Sequence, residues 1–296
     1  MSGPTMGAAI AARLEALAAL TDEPGKITRL YLSPAHRKAA DLVLRWMGEA
    51  GMESGIGPLG DAIGRYEASS PGAKTLILGS HVDSVRDAGR YDGCLGVATA
   101  VEIVARLHRD GRRLPFAIEV VAFGDEEGVR FPATLGGSRA LAGRFDPACL
   151  DERDAGGVTR RAALGAFGVD PDPSKIAALA LDPAATLGYV EVHIEQGPVL
   201  ETEGLALAAV TGIAGATRAR IELDGVAGHA GTVPMKLRRD ALAGVAAAVL
   251  AVEARARADD AVVATVGTLE IEGGAPNTVP GRVAFSLDLR SPDDAL

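Results

Sequence analysis

Residues 78–93, LGSHVDSVRDAGRYDG, limit this chain more than any other stretch, since they spell the end of a buried strand, an acidic loop and the start of a helix. The apolar run 75–78 suits a buried strand, and Gly79-Ser80 closes it. His81 and Asp83 therefore emerge at the carboxyl end of a strand, where open α/β sheets gather their ligands. Strand-like alternation places the two on one side. A metal-bound imidazole donates its second N–H to a carboxylate, so Asp83 is suited to orient His81. Asp92 follows in Tyr-Asp-Gly, just ahead of an Ala/Val-rich helix expected over 95–108, and brings a second carboxylate toward the same cleft.

At 296 residues, with 48% hydrophobic and 23% charged content, the chain can bury a large core and suits two domains better than one. A net charge of −9 leaves no electrostatic footprint for nucleic acid, and Arg112-Arg113, Arg160-Arg161 and Arg238-Arg239 are scattered. Cys94 and Cys149 form no CxxC pair, which fits a reducing cytosol. The opening GAAIAARLEALAAL is interrupted by Arg13 and Glu15 and reads as an amphipathic helix, not a signal peptide. No apolar run reaches the roughly eighteen residues of a membrane span.

In chain order, helices are expected over 7–20 and 34–50, the second opened by Ser33 at N-cap and Pro34 at N1. His36 has no acidic or histidine partner at ligand spacing and is read as a surface or capping residue. Strands follow at 63–67 and 75–78. The run 116–123, FAIEVVAF, reads as a central strand that ends in Gly124-Asp125-Glu126-Glu127-Gly128. Adjacent Glu126 and Glu127 on a turn point in different directions, so one can bind a metal while the other addresses a water. A solvated acidic turn is the competing reading, and the strand-end position, repeating that of His81, decides against it. Residues 188–196, GYVEVHIEQ, alternate as a strand, with Glu191, His193 and Glu195 on one face, which makes His193 a candidate ligand. Gln196 ends that strand with a further donor and acceptor. Past Gly212 the pattern turns antiparallel: strand 217–223, helix 240–258, strand 262–271 and strand 281–289. The chain is thus divided into 1–211 and 212–296. In the second part His229, Asn277 and Arg290 are polar where packing does not ask for it, although each alone also reads as turn chemistry.

GSHVDSV, RYDGCLGV, DEEGVRF, HIEQGPVLE, GHAGTVPM, GGAPNTVPG and LDLR, in this order, resemble the allantoate amidohydrolase and N-carbamoyl-L-amino acid hydrolase branch of the di-metal aminoacylase/carboxypeptidase superfamily. The resemblance implies an α/β fold: an open, mostly parallel catalytic sheet flanked by helices, with an inserted α+β lid and dimerisation domain. It implies that His81, Asp92 and His193 hold one divalent ion, that Asp92 bridges to a second held by Glu127, and that Glu126 is the base beside Asp83. It gives His229 the tetrahedral oxyanion, and assigns Gln196, Asn277 and Arg290 to the substrate, Arg290 as a fork on a carboxylate. The metals implied are zinc, manganese, cobalt or nickel.

The partner implied is a small carboxylate-bearing ureido or carbamoyl compound, in a cytoplasmic homodimer joined through 212–296. Gly215-Ala216-Thr217 and Gly228 depart from the family's pattern and bear on substrate choice. The family also has a further segment that returns to the catalytic domain with one more histidine. Ser291-Pro292-Asp293-Asp294 reads as the start of a helix. The chain as given is therefore expected to be an incomplete catalytic unit that holds at most one metal tightly. An aminoacylase or dipeptidase, and a truncated non-catalytic dimerising or ligand-binding relative, are the alternative readings.

Overall fold

The computed structural model describes residues 5–296, which divide into two compact units with the break between Val199 and Leu200. The division falls before Gly212, where the sequence pattern changes.

The first unit runs α1 (Met6–Ala18), α2 (Pro34–Glu49), β1 (Glu53–Ile56), β2 (Ala62–Tyr66), β3 (Thr75–His81), α3 (Cys94–Arg109), β4 (Ala117–Phe123), α4 (Gly136–Leu141), α5 (Arg160–Phe167), α6 (Pro173–Ala177) and β5 (Thr186–Val190). Local chemistry sets several of these ends. Ser33 accepts the His36 N–H at N-cap with Pro34 behind it, as the sequence predicts. The sheet order is β1-β2-β4-β3-β5. β3, β4 and β5 are parallel, while β1 and β2 join antiparallel, so the sheet is mixed.

β4 is central and buried on both faces, which is why its sequence is continuously apolar. Alternate residues serve different layers: Ile118, Val120 and Ala122 pack in a core with α1, α2 and α3, whereas Val121 and Phe123 meet Ile77 and Leu141 on the other face. β3 and β4 are in register to their last residues, His81 opposite Phe123. Three parallel strands thus open their carboxyl ends along one edge, and the segments leaving them carry the polar residues of interest.

Two expectations change here. The strand expected over 188–196 stops at Val190, because its pairing with β3 ends at Leu78 and Val190. Beyond it the Val192 carbonyl lies against the start of α3, where a Cβ on Gly96 would come within 2.3 Å of it. His36 is not on the surface: it is buried, stacked on Phe167 at 4.8 Å, and its Nδ1 accepts the Leu32 N–H at 2.9 Å.

The second unit comprises α7 (Val199–Glu203), β6 (Gly215–Asp224), β7 (Gly228–His229), α8 (Ala241–Arg257), β8 (Val263–Thr265), β9 (Leu269–Ile271), β10 (Thr278–Val279) and β11 (Arg282–Ser291). β11 is its spine. It pairs antiparallel with β6 along its whole length and with β8 and β9 on its other edge. The single strand expected over 262–271 is broken in two: Asp288 pairs with Thr265 but Phe285 with Leu269, so the outer strand carries one extra residue. Ser286 Oγ takes the Thr268 N–H at the irregularity, at 3.0 Å. α8, capped by Asp240, covers one face through Ala241, Val245, Val283 and Phe285. The other face carries ion pairs such as Arg218 with Asp288 and Arg220 with Glu270, each at 3.0 Å. At the expected helix start, β11 extends through Ser291, whose Oγ accepts the Asp293 N–H at 3.1 Å. Among the described residues no helix is long and apolar enough to cross a membrane.

Candidate metal centre

His81, the last residue of β3, is only 2% exposed. Its Nδ1 lies 3.1 Å from the main-chain oxygen of Asp83 and 3.5 Å from that residue's Oδ1. With the ring proton drawn to Nδ1, Nε2 turns a lone pair toward Asp92, whose Oδ1 is 3.6 Å away. The approach depends on Gly93, which has φ +61° and lies so close that a Cβ would sit 2.5 Å from the imidazole atoms. No side chain fits there, and positive φ disfavours one independently.

Past the end of β5, His193 enters the same space. Its Nδ1 faces the Ile194 carbonyl at 2.8 Å, and its Nε2 is 3.2 Å from Asp92 Oδ1 and 3.4 Å from His81 Nε2. Gln196, with a left-handed backbone at φ 57°, donates its amide to Asp92 Oδ2 at 2.6 Å. Asp92 Oδ1 is left buried with no hydrogen-bond donor.

Asp83 does more than orient His81. Its carboxylate accepts the Glu126 N–H at 3.1 and 3.2 Å and the Glu127 N–H at 3.1 Å, so one buried acid fixes both the imidazole and the acidic turn after β4. That turn brings Glu126 Oε2 to 3.9 Å from His81 Nε2, while Glu127 Oε1 accepts the Val85 N–H at 3.3 Å. Two groups of ligand atoms result, each lying within 4.8 Å of one another: His81, Asp92 and His193, and His81, Glu126 and Glu127.

The electrostatics follow from this crowding of acceptors. Burial opposes charge on His81, yet Asp83 and Glu126 outweigh it and raise the imidazole from 6.5 to about 9. Burial raises Glu126, with His81 opposing and Asp83 and Asp92 adding to the shift. Burial raises Glu127 likewise. A pocket that holds a proton this firmly on a buried imidazole presents a strongly negative potential. His81 Nε2, His193 Nε2 and the orphaned Asp92 Oδ1 converge within 3.2 to 3.6 Å, a set that fits a divalent ion once the imidazole gives up its proton to it.

The second unit brings His229 and Asn277 together: His229 pairs with Thr278 across β7 and β10, and Ala230 donates its N–H to the Asn277 carbonyl at 2.8 Å. His229 Nδ1 accepts the Gly231 N–H at 3.0 Å, and its ring is exposed. Arg290 is engaged with Asp288, Nε to Oδ1 at 2.8 Å.

Some residues that shape the site gave no signal in the sequence. Asp61, buried beside β2, accepts the Gly124 N–H at 3.0 Å and so holds the base of the acidic turn. Arg29, between α1 and α2, is buried with its guanidinium on the Val82 carbonyl and Cys94 Sγ, close in sequence to His81 and Asp92. Neither lies in a motif, and their partners are remote in sequence.

Residues 77–278 match a family described as Peptidase family M20/M25/M40. The chain is 38% identical to "Allantoate deiminase 1" of Glycine max, covering 96% of this chain and 63% of that protein. It is 43% identical to "N-carbamoyl-L-amino acid amidohydrolase" of Geobacillus stearothermophilus, covering 94% of this chain and 68% of that protein. Among solved structures it resembles a hydantoinase/carbamoylase family amidase from Burkholderia ambifaria, at 34% identity and a TM-score of 0.86, over 98% of this chain and 70% of that one. The chain spans less than two thirds of the length of the allantoate deiminases it matches, 63% in Glycine max and 58% in Arabidopsis thaliana.

Proposed function

The chain belongs to peptidase family M20/M25/M40, and from that premise we propose that it carries the metal-binding part of a hydrolase that cleaves linear ureido or carbamoyl C–N bonds in carboxylate-bearing small molecules. Allantoate and N-carbamoyl-L-amino acids are the two candidate substrates, the compounds named by its relatives. The observation that carries this reading is the convergence of His81 Nε2, His193 Nε2 and the orphaned Asp92 Oδ1, with the Glu126 carboxylate 3.9 Å from His81.

We assign His81, Asp92 and His193 to one divalent ion, with zinc, manganese, cobalt and nickel all compatible with the donors. Glu127, with Asp92 as bridge, is assigned to a second ion of the whole enzyme. Because Gln196 already occupies Asp92 Oδ2, the three-residue group is the tighter of the two. An ion held there would supply Lewis acidity to the scissile carbonyl and to the attacking water. Glu126, raised above the usual carboxylate range, takes the proton from that water and delivers it to the leaving nitrogen. Asp83 keeps the Glu126 main chain and the His81 ring in fixed relation during the transfer. To the substrate we assign Gln196, Asn277, Arg290 for the carboxylate and His229 for the oxyanion. The 212–296 part is read as a lid and homodimer surface, and the compartment as cytoplasmic.

The test is metal content together with turnover. Purified protein is expected to hold metal, and the whole enzyme to release ammonia from allantoate or an N-carbamoyl-L-amino acid, with no amino acid released from dipeptides. Metal-free protein after loading with zinc, manganese or cobalt would overturn the reading. Dipeptide cleavage without ammonia release would transfer it to the aminoacylase and dipeptidase class.

A further inference from the structure

Among the described residues Arg29 and Arg160 are the largest side chains buried almost completely, Arg29 at 2% exposure. Burying a guanidinium is costly unless its donors are matched. Here the partners are three carbonyls and a thiol: Nε donates to the Val82 carbonyl, Nη1 to the carbonyls of Leu17 and Leu20 at 2.9 Å each, and Nη2 to Cys94 Sγ at 3.1 Å. The backbone of the same residue is paired twice with Ser84, accepting its N–H at 3.0 Å and donating to its Oγ at 2.9 Å.

These destinations are not scattered. Leu17 is in the last turn of α1 and Leu20 just past its end, where a cation suits the helix dipole. Val82 is the residue between His81 and Asp83. Cys94 opens α3, two positions after Asp92, and its N–H is bonded to the Asp92 carbonyl at 2.6 Å. One rigid, planar fork therefore joins the end of the strand that carries His81 to the start of α3, just after Asp92, and braces both against α1. We propose that Arg29 is a positioning residue for the metal centre, setting the separation of His81 and Asp92 by fixing the two backbone segments that bear them. The inference rests on the assignment of His81, Asp92 and His193 to a divalent ion.

Cobalt(II) is the probe, because its visible spectrum reports ligand geometry and its binding isotherm reports affinity without any turnover. Arg29→Met keeps the apolar stem and loses every donor. It is expected to bind cobalt at least tenfold more weakly than the wild type, with a changed visible spectrum and a preserved far-ultraviolet circular dichroism spectrum. Arg29→Lys keeps the charge but cannot span both segments, and is expected to recover only part of the affinity. Val43→Ala, a core truncation in α2, lowers thermal stability and is expected to leave affinity and spectrum unchanged, which a purely structural role for Arg29 would mimic. If Arg29→Met does not fold, Arg29→Lys and Cys94→Ala carry the same comparison. Wild-type affinity and spectrum in the folded Arg29 variants would overturn the inference while leaving the metal assignment in place. Absence of cobalt binding by the wild type would overturn the metal assignment and this inference with it.

Discussion

His81 and His193, 112 positions apart in the chain, present Nε2 to Nε2 at 3.4 Å, with their rings 5.6 Å apart and 28° from parallel. The Nδ1 atoms face carbonyl oxygens of Asp83 and Ile194, so the protons lie on the outer side of each ring and the inner atoms carry lone pairs. Facing each other and Asp92 Oδ1, these inner atoms repel unless a positive charge lies between them, and without a metal ion it is the proton that the raised His81 imidazole keeps.

Replacement of His193 by alanine is therefore expected to weaken divalent-metal binding by about 100-fold, at the upper end of what even outer-sphere partners contribute. Metal stoichiometry after exhaustive dialysis measures this directly. An unchanged stoichiometry would mean that His193 is a polar loop residue and no ligand.

Glu126→Gln separates binding from chemistry. It removes the proposed base but not the three-residue ligand group, so metal content should stay near the wild-type level while turnover falls by about 10²- to 10⁴-fold. Wild-type turnover at equal metal occupancy would remove Glu126 from the mechanism.

Asp83 joins the imidazole and the acidic turn, so an isosteric change there should disturb both. In Asp83→Asn one carboxylate oxygen becomes a donor facing the amides of Glu126 and Glu127. A loss of about 1–3 kcal/mol in unfolding free energy is expected, with weaker metal binding in the same protein. Denaturant melts and a metal titration on one preparation test the linkage. Loss of stability with wild-type metal affinity would show that the turn and the ring are held independently.

Asp61 gives the molecule a pH dependence whose sign is opposite to that of a salt-bridged acid. Burial lifts its carboxyl from 3.8 to about 7, against the opposing Gly124 hydrogen bond. Below about 4 the folded and unfolded chains both hold the proton. As pH rises from there to about 7 the unfolded chain releases it first, so stability falls, with a slope of at most about 1.4 kcal/mol per pH unit. Asp61→Asn keeps an acceptor for Gly124 and removes the charge. Its melting temperature relative to the wild type should therefore climb across this window, and a flat difference between pH 4 and 8 would refute the assignment.

What could be read in the sequence, and what could not, divides along the range of the interactions. Strand ends and helix starts are local, so Ser33, Asp240 and the end of β4 stood where the pattern placed them, and the turn after β4 was recognisable as a companion to His81. The end of β5 was not readable, because the alternation of residues 188–196 continues after β3 has stopped pairing with it. His36 was misjudged for a similar reason. Nothing near it in the chain announces that Phe167 stacks on its ring. Arg29 and Asp61 belong with it, since each acquires its purpose from carbonyls or amides contributed by other elements.

Gly93 carries this to its limit. It has no side chain to donate, accept or carry charge, yet the imidazole of His81 rests against it so closely that one added methyl group would have to displace the ring or the helix start. In a saturation-mutagenesis library the positions that bind and react would each tolerate some chemically related substitute. The codon at Gly93 would tolerate none, so the narrowest sequence constraint on this centre falls on a residue that an inventory of functional groups passes over.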